Sequence, residues 1–245
     1  MPDAQLEIKV MTGVPISMRD GTILRADVYR PEAPGKYPVV LERTPYDRSE
    51  RRGNHIVLPV ELAKRGYAVV IQDVRGRHDS DGEFSPFHQE KTDGYDTLDW
   101  CTEQEWSNGK IGMFGGSYVG ATQWLASLTK HPSLSCIVPS VTSDDYYEGW
   151  TYQGGVLALG FVGSWSMFAL TLQNLQNLIR NNKTTKSDAQ VLISAIDSIP
   201  TSLQNHAPAY MEHLKPDFAP YYFDWINHPE NDAYWQSIRI SDHHE

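Results

Sequence analysis

The chain has 245 residues, 40% hydrophobic and 21% charged, which suits one large domain or a domain with an insertion and argues against disorder. Its net charge of −10 repels phosphate backbones and sets nucleic acid aside as a partner. Two cysteines, Cys101 and Cys136, are too few for a disulfide framework or a cysteine zinc site; they read as small buried apolar residues of a reducing compartment, and the opening "MPDAQLEIKV" has no apolar leader, so the expected location is cytoplasmic.

The first element is a hairpin. "VPISMRDGTILRADVYRP" carries Asp20-Gly21 between two alternating runs. "YPVVLERTPY" and "YAVVIQDVRG" follow as continuous apolar runs, the pattern of strands buried on both faces of a parallel sheet. Between them "LPVELAKRG" has helical spacing and a glycine stop at Gly66. "EKTDGYDTLDWCTEQEW" predicts an amphipathic helix with Tyr95, Leu98 and Cys101 or Thr102 on one face. "KIGMFG" is the next strand, "SYVGATQWLASLTKH" the next helix and "LSCIVPSV" another strand. Strands alternating with helices mean an α/β fold with a largely parallel sheet, and the hairpin gives it an antiparallel edge.

After Val141 the alternation stops. From Ser143 to about residue 235 the chain is rich in aromatics, Asn and Gln, with helical spacing in "MFALTLQNLQNLIR" and in "KSDAQVLISAIDSIP", where Ser187 or Asp188 is the expected N-cap. This reads as a helical insertion. Gly149–Ile179 carries no charge, but its apolar core is shorter than the roughly 20 residues of a span. Gly154, Gly155, Gln173, Asn174, Gln176 and Asn177 interrupt it, so it reads as buried helix and no membrane association is expected.

The sharpest feature is "KIGMFGGSYVGATQW". Ser117 stands where strand turns to helix, and ligands of open α/β sheets bind at strand carboxyl ends. So tight a turn strains its middle residue and requires small neighbours, a demand that Gly115, Gly116 and Gly120 meet. A hydroxyl projected there, at a helix N-terminus, is the arrangement of a nucleophile elbow. The spacing departs from G-x-S-x-G, because Val119 occupies the second glycine's place and Gly120 follows it. A glycine-tolerant turn with a solvated serine is the alternative. A phosphate loop lacks its lysine here.

"GGSYVG" resembles the G-x-S-Y-x-G of the cocaine esterase-like family of α/β-hydrolases, which includes α-amino acid ester hydrolases and X-prolyl dipeptidyl peptidases. "RTPYDR", "DVRGRHDSDGEF" and "HPENDAYWQSI" resemble three further family motifs, in order. The resemblance implies an α/β-hydrolase domain over 1–142, a helical cap insertion over 143–235 and the start of a return to the hydrolase domain over 236–245. It implies a serine hydrolase of ester or amide bonds working through an acyl-enzyme, an acyl esterase first, with an X-prolyl dipeptidyl peptidase or α-amino acid ester hydrolase as the alternative and a non-catalytic α/β-hydrolase binding module as a third reading; the expected substrates are small esters or short peptides. No cofactor or metal is expected, and a homo-oligomer is compatible with it.

By this resemblance Ser117 is the nucleophile, the Tyr118 backbone N–H one oxyanion donor and the Tyr46 hydroxyl the other. On its own residue pattern Tyr46 reads first as a half-buried aromatic at a strand end. Asp73, Arg75 and Asp79 do not have the spacing of a calcium loop, and their arginines oppose a cation, so they read as a salt-bridge network. His78 and His88 are expected to face solvent. Trp150, Tyr152, Phe161, Trp165 and Phe168 read mostly as core, the alternative for some being the lining of an acyl or aryl pocket. Asp144, Asp145 and Glu148 read as a solvated loop, or as a recognition site for a substrate amino group. His243 and His244, with Asp224 or Asp232, do not match the family's base and acid. Those partners are expected beyond Glu245, with the last strands of the sheet, so the chain resembles the N-terminal part of the family's proteins. The strand "LSCIVPSV" is expected to have an unpaired edge.

Overall fold

The computed structural model describes residues 6–49, 58–194, 201 and 214–243. The chain divides into two compact units, Met1–Thr142 with Glu245, and Ser143–His244.

The first unit is built on a six-stranded sheet: β1 (Ile8–Ser17), β2 (Ile23–Pro31), β3 (Tyr37–Thr44), β4 (Ala68–Asp73), β5 (Ser107–Gly116) and β6 (Leu134–Ser140), in the order β1-β2-β4-β3-β5-β6. β1 and β2 form the expected hairpin, closed by Met18 N–H on Thr22 O, with Gly21 at φ 84° where a side chain would be strained. β2 pairs antiparallel with β4, and the other pairs among β3, β4, β5 and β6 are parallel.

Three helices make the crossovers: α1 (Pro59–Lys64), α2 (Glu90–Glu103) and α3 (Tyr118–Ser127). Passing from β3 to β4 the chain moves one way across the sheet. From β4 over β3 to β5, and on to β6, it moves the other way. Right-handed crossovers therefore put α1 on one face and α2 and α3 together on the other. Leu98 and Cys101 of α2 and Ala126 of α3 join Val39, Leu41, Ala68, Val70, Ile111 and Met113 in one buried core.

Two expectations change here. The buried face of α2 runs through Glu90, Asp93, Gly94, Thr97, Leu98 and Cys101, not through Tyr95, which is half-buried against the edge of His131. The face turned inward is partly charged because Glu90 meets Arg43 and Asp93 meets Arg75. Cys136 is exposed rather than buried, since β6 is the outer strand and, among the described residues, pairs with β5 alone. That open edge is the one expected of "LSCIVPSV".

The second unit is mainly helical: a two-residue ribbon of β7 (Tyr152–Gln153) and β8 (Val156–Leu157), then α4 (Leu159–Trp165), a π-helical turn Ser166–Thr171, a 3-10 turn Leu172–Asn174, α5 (Leu175–Arg180), α6 (Lys186–Ser194), α7 (Pro220–Asn227) and α8 (Ala233–Gln236). Stacked rings hold it together. Phe161 lies on Trp165 and Trp165 on Trp225, each 5.7 Å between centroids, and the Trp150 ring meets Phe161 and Trp165 edge-on. Trp150, Tyr152 and Trp165 are buried as expected, while Phe161 and Phe168 are exposed. The cap of α6 is Thr185, whose hydroxyl accepts from Asp188 N–H, rather than Ser187 or Asp188. The helix therefore begins at Lys186, two or three residues earlier than those caps would imply. Among the described residues no helix is long and apolar enough to cross a membrane.

The expected salt-bridge network is present, with a centre the sequence did not single out. Arg48 reaches Asp27 at 3.0 Å, Asp79 at 2.9 Å and Asp73 through both side chain and backbone N–H. Arg75 separately bridges Asp20 and Asp93. Burial pushes the Asp73 carboxyl up to about 7 in spite of Arg48 beside it. Arg48→Met should cost about 3 kcal/mol or more, because two carboxylates stay buried without their cation. In that variant Asp73 binds its proton more tightly folded than unfolded. Stability then falls as pH rises through neutrality, so urea midpoints should show a larger loss at pH 8 than at pH 5.

Candidate active site

β3 and β5 are neighbours whose chains leave the sheet toward opposite faces, which opens a crevice at their carboxyl ends. Tyr46 follows β3 by two residues and Ser117 follows β5 directly. Their hydroxyls meet there, Tyr46 Oη 3.2 Å from Ser117 Oγ. Both side chains are half-buried, so each keeps a path to solvent.

The corner carries the strain its sequence calls for. Ser117 sits at φ 59°, ψ −130°, where a side chain is strained, and its N–H is held at 2.9 Å by Ser140 O at the end of β6. The two glycines have separate reasons. A Cβ on Gly115, at φ 136°, would lie 2.3 Å from Val119 Cγ1, so Val119 fills the space that Gly115 leaves. A Cβ on Gly120 would lie 2.8 Å from Thr142 Cγ2 and 3.2 Å from Ser140 O. The displaced glycine thus lets the first turn of α3 approach the end of β6.

Tyr118, first residue of α3, turns its side chain into the interior. Its hydroxyl accepts from Phe87 N–H and donates to Glu90 Oε1, both at 2.9 Å. Glu90 Oε2 in turn meets Arg43 Nη1 at 2.6 Å. Burial raises the pKa of both Tyr118 and Glu90. Arg43 and Glu90 were not anticipated. The signal was available: Glu42-Arg43 are charges inside a strand otherwise buried on both faces, and buried charges need partners.

The remaining titratable groups fall elsewhere. His78 is half-buried, not solvent-facing; its Nε2 lies 3.0 Å from Pro45 O, and burial lowers its pKa to about 4. His88 is half-buried too. His131 pairs with Asp99 at 2.9 Å, but it precedes β6 and so lies toward the end of the sheet opposite Ser117. In the second unit, Asp145 is bound to Arg239 and accepts from the N–H groups of Tyr147 and Glu148, and Glu148 accepts from Gly154 N–H. Asp232 caps α8 and pairs with His228. His243 is exposed, and His244 lies outside the described residues. Asp73 and Asp79 are taken up by Arg48, and among the described residues no group of His, Cys, Asp and Glu could hold a metal ion.

The family model for X-Pro dipeptidyl-peptidases (S15 family) matches residues 20–245. The chain belongs to this family. It is 38% identical over 246 residues to the cocaine esterase of Rhodococcus sp. (strain MB1 Bresler), a match covering 94% of this chain and 41% of that protein. It is 30% identical to a putative serine esterase of Mycobacterium tuberculosis, over 62% of this chain and 28% of that one. Among solved structures it resembles an aminopeptidase from a marine sediment archaeon, Thaumarchaeota archaeon (TM-score 0.74, 23% identity, 97% of this chain and 40% of the other). A CocE/NonD family hydrolase from Staphylococcus aureus gives a TM-score of 0.68 at 24% identity, over 96% of this chain and 38% of the other. These likenesses show an α/β-hydrolase fold, and the chain spans about two fifths of the length of these two structures and of the cocaine esterase.

Gly120→Ala tests the corner. The added methyl must displace Thr142 or the Ser140 carbonyl that holds Ser117 N–H. A loss of about 2 kcal/mol is expected in urea melts, and Thr142→Ser in the same chain, which removes the clashing methyl, should recover part of it.

Proposed function

We propose that this chain carries the nucleophile and oxyanion hole of a serine hydrolase acting on ester or amide bonds. The observation that carries the reading is the 3.2 Å contact of Tyr46 Oη with Ser117 Oγ at the crevice between β3 and β5, made by a serine held at φ 59°. Ser117 Oγ adds to the substrate carbonyl carbon and gives its proton to a general base. The carbonyl oxygen becomes an anion, received by the Tyr46 hydroxyl and the Tyr118 backbone N–H. The C–O or C–N bond then breaks, the leaving group takes up the proton, and water releases the acyl group from Ser117. The reaction needs no cofactor.

The corner's construction supports the nucleophile role. A solvated serine in an ordinary turn would not need φ 59° at a residue flanked by two close-contact glycines. Ester chemistry is favoured over peptide chemistry because identity to the Rhodococcus cocaine esterase, 38%, exceeds the 28% to the Xaa-Pro dipeptidyl-peptidase of Ligilactobacillus salivarius. Small esters are the proposed substrates, and a cytoplasmic location and homo-oligomer remain part of the reading.

The test is covalent labelling of the full-length protein with a fluorophosphonate. Peptide mass spectrometry should place the adduct on Ser117, and Ser117→Ala should lose it while keeping its melting temperature. A folded wild-type protein without label would instead favour a binding module. Tyr46→Phe removes one oxyanion donor and should lower kcat on aryl esters roughly a hundredfold. A panel of aryl esters, amino acid esters and X-Pro amides should show the aryl esters turned over fastest.

A further inference from the structure

The geometry points to a positioning role for the buried side-chain chain Arg43–Glu90–Tyr118: it sets where the two oxyanion donors stand relative to Ser117. This rests on the reading of Ser117 as the nucleophile.

The two donors belong to different strand ends, Tyr46 after β3 and Tyr118 after β5. The chain of side chains joins those ends. The Tyr118 hydroxyl is bonded on both sides, by Phe87 N–H and Glu90 Oε1. Its ring stacks on Phe87 at 5.0 Å between centroids. Glu90, first residue of α2, binds Arg43 Nη1 at 2.6 Å. Arg43 Nε donates to Gln72 Oε1 at 2.7 Å, which also accepts from Thr97 Oγ1 at 3.0 Å. A second tie runs from Thr122 Oγ1 of α3 to Arg43 O at 3.2 Å. Three residues beyond Arg43 stands Tyr46. Two more residues on, Arg48 is anchored by three carboxylates. The tyrosine is thus bracketed by two arginines that cannot shift without breaking buried charge pairs.

Stability alone does not account for such an arrangement. A buried ion pair is often replaceable by apolar side chains of similar volume at no loss. Among the described residues Arg43 Nη2 and Gln72 Nε2 are buried without a partner, yet every link from Gln72 through Arg43 and Glu90 to Tyr118 is made, and what such a linked polar chain supplies is a single geometry. An oxyanion hole needs that, because donors act only when already aimed at the developing charge. The strained backbone at Ser117 needs it as well, since an unfavourable φ persists only where the surroundings over-determine it.

The mild variant is Tyr118→Phe, which keeps the ring packing and removes one hydroxyl; Glu90→Gln and the double variant complete a cycle in the full-length protein. Two readouts are taken: fluorophosphonate labelling of Ser117 across reagent concentrations, and amide hydrogen exchange by mass spectrometry. In Tyr118→Phe the maximal labelling rate should fall about tenfold while the half-saturating concentration stays within twofold, the split expected when only the transition state is mispositioned. Exchange should quicken in peptides spanning 113–122 and stay unchanged in β1 and β2. The double variant should be no slower than the slower single variant, as for residues acting through one chain. Wild-type labelling rate together with wild-type exchange at 113–122 overturns the proposal, as does exchange that quickens evenly along the whole chain. If the wild-type protein is not labelled at Ser117, the nucleophile reading fails, and the exchange pattern alone decides whether the clamp exists.

Discussion

At Ser117 the backbone must stop being a strand and begin a helix within one residue. That reversal is only possible where two side chains are missing. Gly115 leaves the volume that Val119 occupies, and Gly120 lets the helix approach Thr142 and the carbonyl of Ser140. The same carbonyl takes the Ser117 N–H, so the corner is locked to β6 as it forms. Because α3 begins at this corner, the packing of α3 on β5 and of α2 beside it inherits the position of one unfavourable dihedral.

Buried charge is concentrated at the carboxyl end of β3. Arg43 and Arg48 lie five residues apart, and together they engage Glu90, Asp27, Asp73 and Asp79. Desolvating such groups is costly, and their mutual attraction about offsets it when the geometry is good. The return is definition. A loop crossing the end of a sheet has few apolar contacts to fix it, and ion pairs with unique partners supply the missing constraint. Tyr46 lies on that loop, so its hydroxyl is aimed by the residues on either side of it.

Much of the fold was legible in order. The Asp20-Gly21 hairpin, the two-face-buried runs of β3 and β4, the glycine stop at Gly66 and the turn at Ser117 each depend on residues within a few positions of one another. The features that escaped depend on distant ones. Hydrophobic spacing placed Tyr95 on the inner face of α2, whereas Glu90 and Asp93 take that face because Arg43 and Arg75 reach them. His78 reads as solvent-facing in the sequence, yet it lies half-buried with its Nε2 against a carbonyl of the β3 loop. Cys136 reads as a small buried apolar residue in the sequence, but β6 is the outer strand and the thiol is exposed.

By itself the sequence determined that strands and helices alternate, that a helical stretch follows residue 142, and that a serine stands on a glycine-lined corner. These are local matters, since periodicity and the absence of a Cβ act over a few residues. Only the tertiary structure decided that Tyr46 and Ser117, 71 positions apart, share a crevice. Strand order is set by which way each crossover turns and what its helix can bury. With β4 on one side of β3 and β5 on the other, the two strand ends bearing these hydroxyls became neighbours.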